Sequence, residues 1–530
     1  MLRIANISLP LGAKDEVALN LALAKIHAKA TDVKHFIISR KSVDARKKDN
    51  VTFVVSVDID FGSAEQQVFE RAKQGTVNIV PITPPMSIPK LSKQPLHPPV
   101  VIGFGPGGLF AALYLARMGV CPIVLERGES VEERQKTYHS FMQTRTLNKD
   151  SNVQFGEGGA GTFSDGKLTT GIKSPRCKTV LEELVAHGAP EDLLYLARPH
   201  IGTDNLPTVV KNIREEILQL GGKILFNSRL TDIHIENGKV TGLEYLSHNK
   251  PATLLCDKVF LAIGHSARDT QEMLYHKGVQ MIQKPFSVGF RIEHKQTAVN
   301  LSQYGKFAKS SHLPPAEYHL ATRFSDNTGA YTFCMCPGGT VVNASSEENG
   351  VCVNGMSNYF RDGVNANAAL LVDVRPQDFD DESPMAGFHF AREIEQKAFT
   401  LAGGNYNAPA QLVKDFLLGR PSTSLGSVQP SFQPGITLTD FSALFKERYL
   451  NRLREGIKML EHKMHGFSQP DAILTAPETR SSCPIRIVRD ETMQANIKGL
   501  YPIGEGAGYA GGIMSAAVDG LKCAQIAMED

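Results

Sequence analysis

The stretch PPVVIGFGPGGLFAALYLARMGVCPIVLER, residues 98–127, constrains this chain more than any other part of its sequence. An apolar run, Val100 to Ile102, leads into Gly103, Gly105 and Gly108 at GxGxxG spacing. That pattern predicts a buried strand, a tight turn and a helix opening at Pro106 and Gly107. Gly103 permits the turn, Gly105 lets backbone approach a pyrophosphate, and Gly108 lets the helix pack against the strand. The free N–H groups and positive dipole end of that helix then face the phosphates. A second strand, CPIVLE, ends at Glu126, where an acidic residue binds ribose hydroxyls, with Arg127 beside it. A negative charge there also disfavours a 2′-phosphate. Glycine turns are common by themselves, but this one sits in a full strand–turn–helix–strand context, which predicts a dinucleotide site.

At 530 residues the chain is too long for one core, so two or three domains are expected. Residues 1–83 read as strand, helix, strand, strand, helix, strand, the order of a ferredoxin-like α+β domain. Residues 84–98 carry repeated prolines and predict a linker. The remainder predicts an α/β body. Its Rossmann-like nucleotide-binding domain takes residues 99–284 and 476–530, and an α+β substrate domain, 285–475, is inserted between them.

Fifty-seven basic residues against 55 acidic ones give a net charge of +2, which argues against a surface built throughout for nucleic acid. No secretory leader pattern opens the sequence and no apolar stretch is long enough to span a bilayer. The eight cysteines show no CxxC or zinc-ligand spacing, and no histidine spacing suggests a metal. A cytoplasmic protein with no membrane partner is the expectation.

The C-terminal segment GLYPIGEGAGYAGGIMSAAVDGLKCAQIA resembles the closing segment of glutathione-reductase-type FAD proteins. That resemblance implies Gly504 and Glu505 at the ribityl chain. It also implies a helix N-terminus, at Gly512, Ile513 and Ser515, facing the flavin. A helix dipole so placed stabilises negative charge on the flavin ring. GGKILFNSRLTDIHIENGKVTGLEY is similar to the strand pair passing the adenine, implying Arg229 and Leu230 there. DKVFLAIGHSARDT is similar to the exit run of such domains, with Ala262 and Gly264. The segments NVQFGEGGAGTFSDGKL, RPHIGTDNL, PFSVGFRIEH, FCMCPGGTVVNASSEENGVCVNGMS and ETRSSCPIRI are similar to a bacterial family of largely uncharacterised FAD-dependent dehydrogenases. The resemblance spans the whole chain and implies FAD as cofactor.

Several segments are candidates for the chemistry. The loop from Gly156 to Lys167 is too glycine-dense for regular structure, and Gly158, Gly159, Ser164 and Lys167 are expected against the cofactor. ETRSSCPIRIVRD brings Glu478, Arg480, Arg486 and Arg489 together in sequence. Arg480 is a candidate to hold an anion or reduced flavin, with Glu478 as its acid–base partner; an ordinary ion-pair network is the competing reading. His200 titrates in the range suited to proton relay, and Arg198, Asp204 and Arg291 occur in neighbouring hallmark segments. Cys334 and Cys336 would share one face of a strand, either as a redox pair or as packing side chains in an apolar run.

The reading that results is an FAD-dependent oxidoreductase transferring hydride between flavin N5 and a small-molecule substrate. With one complete GxGxxG unit there is no dedicated nicotinamide domain, so transient NAD(P)H, a reduced substrate or a protein partner remain as electron donors. An RNA-interacting flavoprotein is the alternative, with Arg40, Lys41, Arg46, Lys47 and Lys48 expected at a basic hairpin tip. Against it, the run NVTFVVSVDI offers only Phe53 for base stacking. A flavin monooxygenase is a third class that no residue specifically favours.

Overall fold

Five short strands form an all-parallel sheet in the order Leu500–Pro502, Val259–Leu261, Val100–Ile102, Ile123–Leu125, Lys223–Leu225. The computed structural model describes residues 1–72, 77–79, 86, 88–91, 94–379 and 381–529. Because side chains alternate along a strand, each strand of this sheet contributes to two cores. Val101, Val124 and Phe260 face the helices Pro106–Arg117, Leu206–Gln219 and Ile513–Glu529. Val100, Ile102, Leu125 and Leu261 face an antiparallel three-stranded meander, 228–255. The outermost strand comes from the far C-terminus, which brings residues 504–513 beside the glycine fingerprint.

A second, seven-stranded sheet packs beside the first, with Phe286–Lys295 at its centre between Asn365–Val374 and Ile473–Glu478. The amphipathic helix Glu447–Glu461 buries Leu453, Ile457 and Leu460 against it. Strand Ile473–Glu478 pairs with Phe286–Lys295 as far as Glu478, so the sheet runs past residue 475, the expected end of the inserted unit.

The N-terminal sheet runs Val77–Ile79, Leu2–Leu9, Thr52–Asp60, His35–Asp44, every pair antiparallel, with helices Asp15–Ile26 and Glu65–Arg71. Arg40 and Lys41 lie within the edge strand and not at a hairpin tip. The Lys41 backbone is bonded to the body: its N–H donates to the Tyr195 carbonyl at 2.8 Å, and its carbonyl accepts from Ala197 at 2.9 Å. Phe53 is only 8% exposed and sits under the Lys41 ammonium, so it offers no face for a base. Of the expected linker, residues 84–85, 87 and 92–93 lie outside the described residues. Met86, Ile88 and Leu91 pack onto the core of the parallel-sheet unit. Among the described residues no helix is long and apolar enough to cross a membrane.

Candidate functional site

One cavity of about 590 Å³ runs from the glycine fingerprint to the seven-stranded sheet. At its first end lie Gly103, Gly105, Pro106 and Gly107, at the N-terminus of helix Pro106–Arg117. A helix start leaves its first N–H groups without intrahelical partners. Gly105 faces Gly159 across the mouth, and a methyl group on it would stand 3.7 Å from the Gly159 Cα. Gly108 does not line the cavity. Its place is structural, since a Cβ there would meet the Gly103 carbonyl oxygen at 2.0 Å.

Glu126 is buried at the cavity wall, where its carboxylate accepts N–H groups from Phe104 (2.8 Å), Gly128 (2.9 Å) and Gly156 (2.9 Å). It thereby ties the fingerprint turn to the glycine-dense loop. Arg134, fully buried, donates from below to the carbonyls of Asn152, Val153 and Glu157 at 2.7–2.8 Å. This loop is therefore a fixed wall, unlike a loose surface loop. Gly159, Ser164 and Lys167 line the cavity, whereas Gly158 turns away and bonds the Phe104 carbonyl. Ser164 donates to the Gly161 carbonyl, so its hydroxyl serves the loop first. Arg127 and Arg229 line the same end, both paired with Asp150 and Asp269, and Leu230 lies beside them.

Toward the other end, Ala262 and Gly264 lead to His265, with Gly504, Glu505, Gly512 and Ile513 opposite. Nothing stands within 4 Å of a Cβ on Gly511 or Gly512. Ser515 does not line the cavity. Its hydroxyl bonds Gly511 and Gly512 instead and organises the start of helix Ile513–Glu529. Burial pushes the Glu505 carboxyl up to about 7, against the pull of Lys284. Burial, with Arg480 and Arg268, pulls His265 down to about 3, which keeps its imidazole neutral.

Three expectations are corrected by this geometry. Glu478 pairs with Arg291, at 2.5 and 3.1 Å, and not with Arg480. Arg480 lines the cavity, but Glu395, Ser266 and Ser346 occupy its guanidinium N–H groups. Glu395 also holds Arg268, so one buried carboxylate serves two arginines. His200 lies off the cavity, stacked on Tyr359 and bonded to its carbonyl, and burial lowers its pKa. The other two charges of ETRSSCPIRIVRD go elsewhere: Arg486 and Arg489 both lie over the Tyr509 ring, and Arg489 pairs with Asp519. Asp204 caps the Tyr359 N–H, and Arg198 reaches the cavity paired with Glu317.

Comparison with known proteins identifies the cofactor. Residues 285–481 match the family model "FAD-dependent protein, C-terminal domain-like", and residues 1–60 match a domain of unknown function. An uncharacterised protein of Clostridium beijerinckii is 46% identical over 530 residues, covering 100% of this chain and 98% of its own. The chain belongs to this family of FAD-dependent proteins. Among solved structures, the glycerol-3-phosphate dehydrogenase of Bacillus halodurans complexed with FAD aligns at a TM-score of 0.38. It shares 11% identity and covers 83% of this chain and 64% of its own. The glycine oxidase of Bacillus cereus aligns at 0.29, with 13% identity, 82% of this chain and 96% of its own.

The cavity of this flavoprotein fits FAD. Four buried polar atoms of lining residues, Arg127 Nε, Gln154 Nε2, His265 Nε2 and the Tyr318 hydroxyl, have no partner among the described residues. Buried polar groups are seldom left unpaired, so these mark where bound polar molecules complete the site. Sequence reasoning missed three of them. His265 follows Gly264 directly, and Gln154 stands two residues before the glycine-dense loop, so both could have been taken with those neighbours, whereas Tyr318 carried no local signal. Glu395 was missed too, because its partners lie 85 and 127 positions away along the chain.

Proposed function

We propose that this flavoprotein is an oxidoreductase that exchanges hydride between flavin N5 and a small-molecule substrate. The observation that carries the reading is the continuity of the cavity. It joins the fingerprint, the Glu505–Gly512 turn and a polar far end lined by Lys167, Arg198 and Tyr318. In this reading the backbone at Gly105 and Gly107 holds the pyrophosphate, and Glu126 holds the adenosine ribose. Arg229 and Leu230 flank the adenine, Glu505 meets the ribityl chain, and Gly512 and Ile513 meet the flavin edge. The helix Ile513–Glu529 directs its positive end there, which favours negative charge on the ring. FAD bound in this way supplies two-electron chemistry.

The chain's own contribution is to position and to exclude water. His265, held neutral, lines the cavity, and its buried Nε2 has no partner among the described residues. Lys167 and Arg198 at the far end are paired with Asp165 and Glu317, which also line the cavity, so this end offers a substrate polar groups of both signs. The antiparallel order of the N-terminal sheet supports a ferredoxin-like reading of residues 1–83, as an appended interaction unit within a cytoplasmic protein.

The test is anaerobic mixing of the yellow protein with NADH and, separately, NADPH, followed at the flavin absorbance band. Rapid bleaching by either one supports the oxidoreductase reading and names the donor. A flavin bleached by no nicotinamide, thiol or 2-hydroxy or 2-amino acid would count against redox function and for a structural cofactor.

A further inference from the structure

Cys334 and Cys336 lie where an extended strand would hold them at the limit of bridging distance. In a flat strand, residues i and i+2 share a face with Cα atoms roughly 6.7 Å apart, at the upper limit for a disulfide. Here the strand Gly329–Cys336 breaks its register between Phe333 and Cys336, and Cys334 takes φ +42°, the left-handed region that side chains other than glycine seldom adopt. The break curls the chain so that the Cys336 thiol turns back on its neighbour and donates to the Cys334 carbonyl at 3.3 Å. Such conformations persist only where surrounding structure enforces them, and they concentrate at functional sites.

The surroundings are those of a reactive pair. Cys334 lines the cavity and is partly exposed to it, and Cys336 is fully buried behind. The Arg291 guanidinium donates to the Cys334 carbonyl at 2.7 Å and lies 4.0 Å from the Cys336 sulfur. The neighbouring Cys336 thiol, with Arg291 and Lys167 adding positive charge, draws the Cys334 thiol below the ordinary cysteine range. Cys352 and Cys483, whose thiols burial pushes up to about 11 and about 12, do not line the cavity.

We propose that Cys334 and Cys336 form a dithiol–disulfide couple that exchanges two electrons with the flavin bound in the same cavity. Written as oxidation, the Cys334 thiolate and the Cys336 thiol form one S–S bond. Cys336 loses its S–H proton, and that proton and two electrons pass to the oxidised flavin. Charge and atoms balance, and the reverse reaction reduces the disulfide. Cys334, on the cavity side, is then the sulfur that an incoming thiol or disulfide meets. The couple rests on FAD occupying this cavity, as in the reading above, and adds a second redox centre to it.

The test uses air-oxidised holoprotein in an anaerobic reductive titration. The wild type is expected to take up one two-electron equivalent for the flavin and a second for the pair. Cys334→Ser and Cys336→Ser should each lose the second equivalent while keeping their flavin, and Cys121→Ser, at an exposed site, should keep both. A long-wavelength thiolate-to-flavin band on partial reduction should appear in the wild type and vanish in Cys334→Ser. Independently, alkylation under denaturing conditions and mass mapping should find a Cys334–Cys336 bridge in oxidised protein and two alkylated cysteines in reduced protein. Two alkylated cysteines in the oxidised protein would overturn the couple. So would a bridge with no second equivalent, which rules out exchange with flavin. A protein purified without flavin overturns the oxidoreductase reading as well, and its spectrum reports that separately from the mass map.

Discussion

Replacing Gly105 by Ala separates cofactor binding from folding. Gly105 has φ −74° and ψ −176°, extended backbone open to any residue, and the nearest atom to an added Cβ is the Gly159 Cα at 3.7 Å, an ordinary contact. It also caps helix Pro106–Arg117. Alanine is the poorer cap, by up to about 1 kcal/mol, and restricting the unfolded chain returns about 0.4–1 kcal/mol. The cofactor-free protein should therefore melt almost as wild type does. The methyl group, however, would stand on the cavity wall where Gly105 meets Gly159, beside the expected place of the pyrophosphate. Losing one charge-assisted backbone hydrogen bond costs about 1.5–3 kcal/mol, or roughly a 10- to 150-fold weaker Kd. The assay is titration of deflavinated protein with FAD, followed by flavin fluorescence, alongside a thermal melt without FAD. Neighbouring glycines give the contrast: a Cβ would meet backbone oxygen at 2.4 Å on Gly103 and 2.0 Å on Gly108, so alanine there should fail to fold. Wild-type FAD affinity in a stably folded Gly105→Ala protein would refute the placement of the pyrophosphate.

Three further outcomes follow from the buried charges and the orphaned hydroxyl. Glu395→Gln leaves Arg268 and Arg480 without their shared counter-charge and is expected to cost about 3–5 kcal/mol, read from urea unfolding. Burial pushes Glu395 up, but the two arginines outweigh it and hold the carboxyl well below its usual value of 4.5. Its contribution is accordingly complete above that value and lost as pH falls toward the folded-state pKa, and Glu395→Gln should remove that acid dependence. Glu505 has the opposite sign: with its pKa raised from 4.5 to about 7, the folded state is favoured below 4.5 and loses that advantage as pH rises through 7. Glu505→Gln should flatten the melting temperature of cofactor-free protein across that window. Tyr318→Phe removes a buried hydroxyl that has no partner among the described residues, so stability without ligand should hold or rise by about 1 kcal/mol. Flavin reduction by substrate should slow in the same variant if the hydroxyl serves the reaction.

What could be read from the sequence was local. The fingerprint strand, turn and helix, with Glu126 after the second strand, depend on spacings of a few residues, and all but the packing glycine Gly108 meet at one end of the cavity. The Gly504–Ile513 turn was legible for the same reason, although its neighbour in space was visible only through a family resemblance. What escaped was pairing at long range. Glu478 and Arg480 are two apart and invited a shared role, but Glu478 ends a strand and Arg480 lies just past it, so each meets a different element. Arg291, on the adjacent strand, captures the first, and Glu395, from a helix packed on the sheet, captures the second. His200 looked like a relay residue by type alone, whereas its burial and its stacking on Tyr359 depend on contacts 159 residues away. Cys334 and Cys336 were read as sharing one strand face, and a one-residue irregularity altered that.

The most direct test of the central claim is the visible spectrum of the purified protein, with identification of the flavin released on denaturation. The account requires a flavin spectrum, FAD as the released species and one equivalent per chain, lost selectively in Gly105→Ala. A colourless protein that takes up no added FAD, or one that binds FAD equally well after that substitution, would contradict it.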